Sequence, residues 1–194
     1  LSLIEYYHKE MSAYNEVIET NGGGALSFKL EEYLSFYESY KTTQAHSTQL
    51  QWQEVKISDL FSVKSNPQLN KDSFVFKQNA PYPYFTRTCL NNGISGYVEY
   101  LDEEHKIKGE AIAVGMLGMQ FFYMEKDFYA GQFTKSIYPK FTYPFNAKIA
   151  LYFIAQLNKK QKIFQGVLVR DFEKTFYKQS VLLPIYENGG IAFE

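Results

Sequence analysis

The stretch that decides the fold is residues 82–98, which read YPYFTRTCLNNGISGYV. Its aromatic start predicts a strand over Tyr82–Thr88, since Tyr and Phe favour pleated, half-buried positions. Asn91-Asn92-Gly93 follows, and an Asn-Gly pair adopts positive φ at little cost, which favours a tight turn. A second strand is predicted over Ser95–Tyr100. This part of the chain is therefore predicted to form an antiparallel hairpin.

Outward from the hairpin, short apolar segments bounded by turn residues predict six more strands. These are Val55–Ile57, Phe74–Phe76, Ala111–Val114, Gln120–Met124, Ser136–Tyr138 and Val181–Leu183. A single strong helix is predicted after Asn146, with lysines suited to its C-terminal end. Many strands, few helices and no regular βαβ alternation indicate an α+β fold with a twisted, largely antiparallel sheet.

The first 45 residues have a different pattern. Apolar residues recur there at steps of three and four, which predicts two amphipathic helices joined by Gly22–Gly24. A local helical hairpin and a coiled-coil spacer or subunit contact both fit this pattern. The polar segment 42–51 lacks periodicity. We therefore predict a helical segment over residues 1–45 and a separate domain over residues 52–194.

Composition and charge limit the class of protein. Of 194 residues, 45% are hydrophobic and 21% charged, which excludes general disorder, and a single cysteine excludes an internal disulfide. No apolar run has the length of a membrane helix, so we expect a cytoplasmic protein with no membrane partner. Residues 1–50 hold three lysines and seven glutamates (net −4). Residues 51–194 hold 17 basic and 14 acidic residues (net +3), which is weak evidence for nucleic acid.

Motifs for catalysis are mostly absent. The chain has no G-x-S-x-G, Walker or G-x-G-x-x-G motif, and Gly115–Gly118 is predicted to be a turn. Cys89 is expected to be a small buried residue of a strand. Glu104-His105-Lys106, with Asp102 nearby, matches the Glu-x-Lys pattern of some metal nucleases. This segment is predicted to be a solvated loop, so we expect no catalysis and no metal site.

Five stretches, in order, carry a resemblance to a known family. They are residues 52–61, the hairpin segment 82–98, residues 109–115, residues 121–132 and residues 182–193. Together they resemble the target-recognition domain of specificity (S, or HsdS-like) subunits in type I restriction-modification systems. The related domains of BcgI-like, type IIG enzymes share the pattern.

The resemblance implies a division of labour between subunits. Such a domain recognises one half of a bipartite target in double-stranded DNA. A methyltransferase subunit or domain brings S-adenosylmethionine, and a restriction subunit or domain brings magnesium- and ATP-dependent activity. The specificity module itself has no cofactor. The family usually has two recognition domains separated by long helices and one is present here, so it stays open whether a second such domain or a homodimer completes a two-part site.

The residues expected to contact DNA follow from this resemblance and from side-chain chemistry. The hairpin segment offers Thr86, Arg87, Thr88, Asn91 and Asn92, and other segments offer Lys106, Lys108, Gln132 and Lys135. Arg87 suits a guanine or a phosphate, and a structural or phosphate role is favoured because the motif is shared by domains with different targets. Base reading is expected from the loops Lys64 to Lys77, Asp102 to Lys108 or Lys135 to Tyr143. A protein-interaction or inhibitory module that keeps the fold is the alternative function.

Overall fold

A computed structural model describes residues 50–193, apart from 68 and 168. The two predicted N-terminal helices lie outside the described residues. The strands are β1 (Gln51–Lys56), β2 (Phe61–Ser65), β3 (Tyr82–Phe85), β4 (Ile94–Val98), β5 (Ala111–Gly115), β6 (Gln120–Met124), β7 (Tyr129–Ala130), β8 (Thr134–Pro139) and β9 (Ser180–Ile185). The helices are α1 (Ile57–Leu60), α2 (Ala147–Lys159), α3 (Gln161–Gln165) and α4 (Phe172–Tyr177).

The central layer is a four-stranded antiparallel sheet in the order β2-β8-β5-β6. Alternate residues of a strand face opposite sides of a sheet. Ile112 and Val114 of β5 belong to the main core with residues of the helices, and Ala113 belongs to a second core on the other side. Strand β5 is buried throughout because both faces are covered.

A three-stranded sheet, β4-β3-β7, covers the second face. Phe85 of β3 shares the second core with Ala113, while Tyr84 packs with Phe74 on the outer side. Strands β3 and β4 are antiparallel, and β3 and β7 are parallel. The remaining pair, β1 and β9, is antiparallel, and Val181 and Leu183 of β9 join the main core.

Helix α2 covers the first face of the four-stranded sheet. Its N-terminus is capped by the Asn146 side chain, which accepts a hydrogen bond from the Ile149 backbone N–H at 3.1 Å. Apolar residues at helical spacing, such as Phe153 and Leu157, are buried in the main core. The prediction of a helix opened by Asn146 is confirmed.

The Asn91–Gly93 turn follows the predicted chemistry. Asn91, Asn92 and Gly93 have φ of 48°, 52° and 77°. Only glycine fits the last position, because a Cβ there would lie 2.2 Å from Cε2 of Phe85. The turn thus lies directly on the second core.

The α+β class and the mainly antiparallel pairing are confirmed. Within the described residues the strands differ from the predicted set in several ways, and β2 and β7 have no predicted counterpart. The strands form three sheets rather than one. The strand predicted over Tyr82–Thr88 ends at Phe85, where the register with β4 shifts. The strand predicted over Phe74–Phe76 is reduced to a single bridge between Phe76 and Val98. None of the helices in the described residues is long and apolar enough to cross a bilayer.

Candidate nucleic-acid interface

Four connecting segments meet beyond the carboxyl end of β5. We call residues 66, 67, 69, 70, 86–90, 116–119 and 131–133 the loop cluster. The Met116 N–H donates to the Phe133 carbonyl at 2.9 Å, which joins the β5–β6 turn to the segment before β8. The Gly131 N–H donates to the Phe85 carbonyl at 2.9 Å, which ties that segment to β3. These backbone bonds anchor the loop cluster on the sheets.

Arg87 is the basic residue of this cluster. Its backbone crosses Gly115 so closely that a Cβ on Gly115 would lie 2.9 Å from the Arg87 Cα. The exposed side chain places its guanidinium carbon 5.5 Å from the centroid of the Phe133 ring. Within the described residues the guanidinium has no ion pair or hydrogen bond. Its N–H groups are available to a ligand.

Gln132 and Lys135 are held by side chains from the chain around β2. The Gln132 Nε2 donates to Oδ1 of Asn70 at 2.8 Å, and Nζ of Lys135 donates to Oγ of Ser65 at 2.8 Å. Both contacts lie at the surface. They place an amide pair and an ammonium group near the carboxyl end of β5, where Arg87 crosses Gly115.

Three buried polar side chains, Asn66, Thr134 and Ser136, form a hydrogen-bonded set beneath the loop cluster, which we call the buried polar group. Nδ2 of Asn66 donates to Oγ1 of Thr134 at 3.0 Å, and Oγ of Ser136 donates to Oδ1 of Asn66 at 2.6 Å. The Thr134 hydroxyl in turn donates to the Gly131 carbonyl at 2.9 Å. All three side chains are buried. Satisfied polar networks of this kind favour a single loop conformation.

Lys106 and Lys108 lie at the opposite, amino end of β5. Nζ of Lys106 is 2.7 Å from a Glu103 carboxylate oxygen and 3.9 Å from one of Asp127. The hydrogen bond from Lys106 to Glu103 raises the pKa of the lysine and lowers that of the glutamate. Lys108 is exposed, and its carbonyl accepts a hydrogen bond from the Tyr138 hydroxyl at 2.9 Å.

The same end of the sheet is rich in carboxylates. An open hollow there is lined by side chains that include Lys108, Lys126, Glu110, Glu125 and Asp127. Segments 102–110 and 125–127 carry six carboxylates and three lysines. The two ends of β5 thus differ in sign of charge, and the nine predicted DNA contacts do not form a single group.

The remaining predicted residues lie on the chain between β3 and β4. Asn91 and Asn92 are exposed, and Thr86 and Thr88 are half-buried. The Thr88 hydroxyl accepts a hydrogen bond from the Leu90 N–H at 3.1 Å, which shapes the turn. Cys89 is exposed and lies outside the strands, so the expectation of a buried strand cysteine is wrong. The reason is that β3 ends earlier than its sequence suggests.

The Glu-x-Lys segment lies in a turn, as predicted. His105 donates its backbone N–H to Asp102 Oδ1 at 2.7 Å, and its Nδ1 is 2.9 Å from the same carboxylate. The backbone N–H of His105, together with its imidazole, lowers the pKa of Asp102. Across the described residues, no three His, Cys, Asp or Glu side chains are grouped in a way that could hold a metal ion.

Two residues of the loop cluster were missed by the sequence analysis. Phe133 was assigned no role, although it lies beside Gln132 in the sequence. It is 47% exposed and has a φ of 56°. Asn70 fell within the candidate loop Lys64 to Lys77 but was not selected. Its pairing with Gln132 joins residues that are far apart in sequence.

Comparison with known proteins now adds to this geometry. A family model described as the type I restriction modification DNA specificity domain matches residues 49–192. The chain belongs to this family. The chain therefore carries a DNA specificity domain of a type I restriction-modification system, and the resemblance drawn from the sequence is confirmed. No curated protein matches the sequence.

Three solved structures are similar to parts of the specificity-domain chain. The S subunit of a type I restriction-modification system from M. genitalium is 16% identical, with a TM-score of 0.48, over 71% of this chain and 36% of that one. The HsdS subunit from Thermoanaerobacter tengcongensis is 8% identical, with a TM-score of 0.47, over 80% and 44%. A structure concerned with assembly and conformational transition of the type I R-M system is 10% identical, with a TM-score of 0.49, over 95% and 48%. The chain thus spans less than half the length of each of these proteins.

Proposed function

We propose that this chain is a non-catalytic specificity module that recognises one half of a bipartite target in double-stranded DNA. It directs a methyltransferase partner, which brings S-adenosylmethionine, and a restriction partner, which brings magnesium- and ATP-dependent cleavage. A second recognition domain, or a second copy of the chain, reads the other half of the target. The observation that carries this proposal is the loop cluster, with the exposed Arg87 guanidinium and the surface pair Gln132–Asn70, in a chain of the specificity-domain family.

Charge decides which surface the duplex approaches. The loop cluster contains Arg87 and no carboxylate, and Lys71 and Lys135 flank it next to a single acidic residue, Asp72. The opposite end of β5 has twice as many carboxylates as lysines in segments 102–110 and 125–127. DNA phosphates are attracted to the first surface and repelled from the second. We therefore place the duplex on the loop cluster and assign smaller contributions to Lys106 and Lys108.

The chemistry of the loop cluster suits base recognition as well as phosphate binding. An arginine edge matches O6 and N7 of guanine, and an asparagine or glutamine amide matches N6 and N7 of adenine. Gln132 uses one N–H on Asn70, while its Oε1 has no hydrogen-bond partner within the described residues. The exposed Asn91 and Asn92 add further amides on the hairpin. The described residues contain no arrangement of side chains suited to catalysing hydrolysis or methyl transfer.

A matched pair of lysine variants tests the proposed surface. Lys135→Gln and Lys106→Gln each remove one positive charge, but at opposite ends of β5. Binding of the full chain to a mixed-sequence duplex is measured at several salt concentrations. We expect Lys135→Gln to lower the slope of log K against log[salt] by about 0.9, because one phosphate contact is lost. Lys106→Gln should change the slope by much less, because Lys106 lies among carboxylates at the other end of β5.

Two results would contradict the proposal. If both variants change the slope equally, the surface is placed wrongly. If the wild-type chain binds no DNA, alone or with its methyltransferase partner, yet assembles stably with that partner, the chain is a protein-interaction module.

A further inference from the structure

We propose that Phe133 is a positioning residue that holds the Arg87 guanidinium for recognition of a guanine edge in the major groove. This inference rests on the proposed function and adds a specificity-determining pair to it. The two residues are far apart in sequence, yet the guanidinium carbon lies 5.5 Å from the ring centroid of Phe133. Arginine is attracted to the face of an aromatic ring, and its in-plane N–H donors stay free in that arrangement.

The backbone of Phe133 is held in an unusual conformation. Its φ of 56° is in the left-handed region, which is disfavoured for a residue with a large side chain. The Phe133 carbonyl accepts the hydrogen bond from Met116, so the conformation is locked to the β5–β6 turn. The ring nevertheless remains 47% exposed. Core packing alone does not explain a disfavoured backbone that presents an exposed aromatic ring.

Arg87 is held just as firmly through its main chain. The preceding Thr86 N–H donates to the Gly93 carbonyl at 2.8 Å, across the base of the hairpin turn. On the other side, Gly115 allows the Arg87 backbone to lie against the end of β5. With its backbone fixed and its guanidinium over Phe133, Arg87 is preorganised. Such preorganisation reduces the ordering cost of binding.

The surroundings of the pair favour a base edge, in contrast to the structural or phosphate role that the shared motif favours. Leu117, next to Met116 in the β5–β6 turn, is 63% exposed and adds apolar surface at this end of β5. Phosphates lie at the solvated edge of the duplex, where apolar side chains next to the arginine would stay in water and add no binding energy. Inside the major groove, aromatic and aliphatic side chains contact thymine methyl groups while arginine binds O6 and N7 of guanine. An arginine beside exposed apolar groups therefore suits the groove.

The test compares the base preferences of variants. The full chain, with its methyltransferase partner where the two co-purify, selects duplexes from a random-sequence library. Arg87→Ala and Phe133→Leu are expected to lose the preference for guanine at the same single position, while other positions of the selected motif are kept. Loss of a bidentate arginine contact corresponds to about 5- to 150-fold weaker binding of the wild-type motif. Phe133→Tyr keeps the aromatic face and is expected to retain the preference.

A further variant separates positioning from folding. Phe133→Asn removes the ring but suits the left-handed backbone, so the fold is retained while the guanine preference is lost. The salt slope of Arg87→Ala is expected to equal that of the wild type, because a base contact releases no phosphate counterion.

Three outcomes would overturn the inference. A uniform loss across all sequences, with a slope reduced by about 0.9, would identify Arg87 as a phosphate contact and leave the proposed function standing. If both Phe133→Leu and Phe133→Asn keep the wild-type base preferences, Phe133 does not position Arg87. Failure of the wild-type chain to enrich any sequence would overturn the proposed function and this inference with it.

Discussion

Replacing Asn66 with alanine removes the centre of the buried polar group beneath the loop cluster. Asn66 is 5% exposed and bridges two strand residues, donating to Thr134 and accepting from Ser136. In the variant, the Ser136 hydroxyl loses its acceptor in a fully buried position. Thr134 keeps its bond to the Gly131 carbonyl.

The size of the effect follows from these contacts. One unsatisfied buried hydroxyl costs about 1–3 kcal/mol, and the loss of the second hydrogen bond adds about 1 kcal/mol. We expect the free energy of unfolding to fall by roughly 2–4 kcal/mol, and Tm to fall by roughly 5–15 °C for a domain of this size. DNA affinity should fall as well, because the loop segments on either side of Asn66 and Thr134 lose their common support.

The chain offers both a probe and a control for this measurement. Trp52, its one tryptophan, lies on β1, so urea unfolding followed by tryptophan fluorescence reports on this domain. Asn70→Ala makes the same chemical change at an exposed position of the same loop, where water replaces the bond to Gln132. We expect that control to change stability by less than about 0.5 kcal/mol. Equal stabilities for Asn66→Ala and Asn70→Ala would refute the view that the buried group stabilises the loop cluster.

Two other predictions concern glycine geometry and pH. Gly93→Ala places a Cβ 2.2 Å from the Phe85 ring, whereas Gly189→Ala, at φ 83°, meets no atom within 4 Å. Both substitutions add backbone strain of about 1–2 kcal/mol, but only Gly93→Ala also meets a neighbouring side chain. Gly93→Ala should therefore unfold at a clearly lower urea concentration than Gly189→Ala. Equal unfolding midpoints would contradict the tight packing against Phe85. The hydrogen bond from the His105 backbone N–H is the main cause of the lowered pKa of Asp102. The Asp102 carboxylate therefore stabilises the folded state at pH values above the ordinary aspartate pKa. This stabilisation is lost as the pH falls through the lowered pKa of the folded state. Asp102→Asn should therefore lose less stability than the wild type between about pH 5 and pH 2 in urea titrations, and identical pH profiles would exclude the contact.

Local chemistry was sufficient to predict the turn and the helix. Asn91-Asn92-Gly93 and the Asn146 cap act within a few residues, so their sequence predicts their conformation. Strands β5 and β6 were found for a similar reason, since each is an uninterrupted apolar or aromatic run. Helices α3 and α4 are only one or two turns long. Burial of Phe164, Phe172 and Phe176 in the main core stabilises them, and periodicity cannot detect elements so short.

The candidate site was predicted in its residue types but not in its grouping. Side-chain chemistry predicts DNA contacts at Arg87, Gln132 and Lys135, and the structure brings all three to the carboxyl end of β5. Lys106 and Lys108 were chosen for the same chemistry but lie at the other end of β5. Which residues meet depends on the antiparallel pairing of β5 with β8, where Gly115 lies opposite Thr134. That register is a long-range property, and no local pattern encodes it.

The pairing of β1 with β9 brings the two ends of the domain together. Gln51 and Ile185 are partners, and the Ala192 N–H returns to the Pro184 carbonyl at 2.9 Å. The path into the domain and the path out of it thus run side by side, about 5 Å apart at the strand ends. A different segment inserted between these two points would therefore begin and end at the same place on the sheet, whatever its own length.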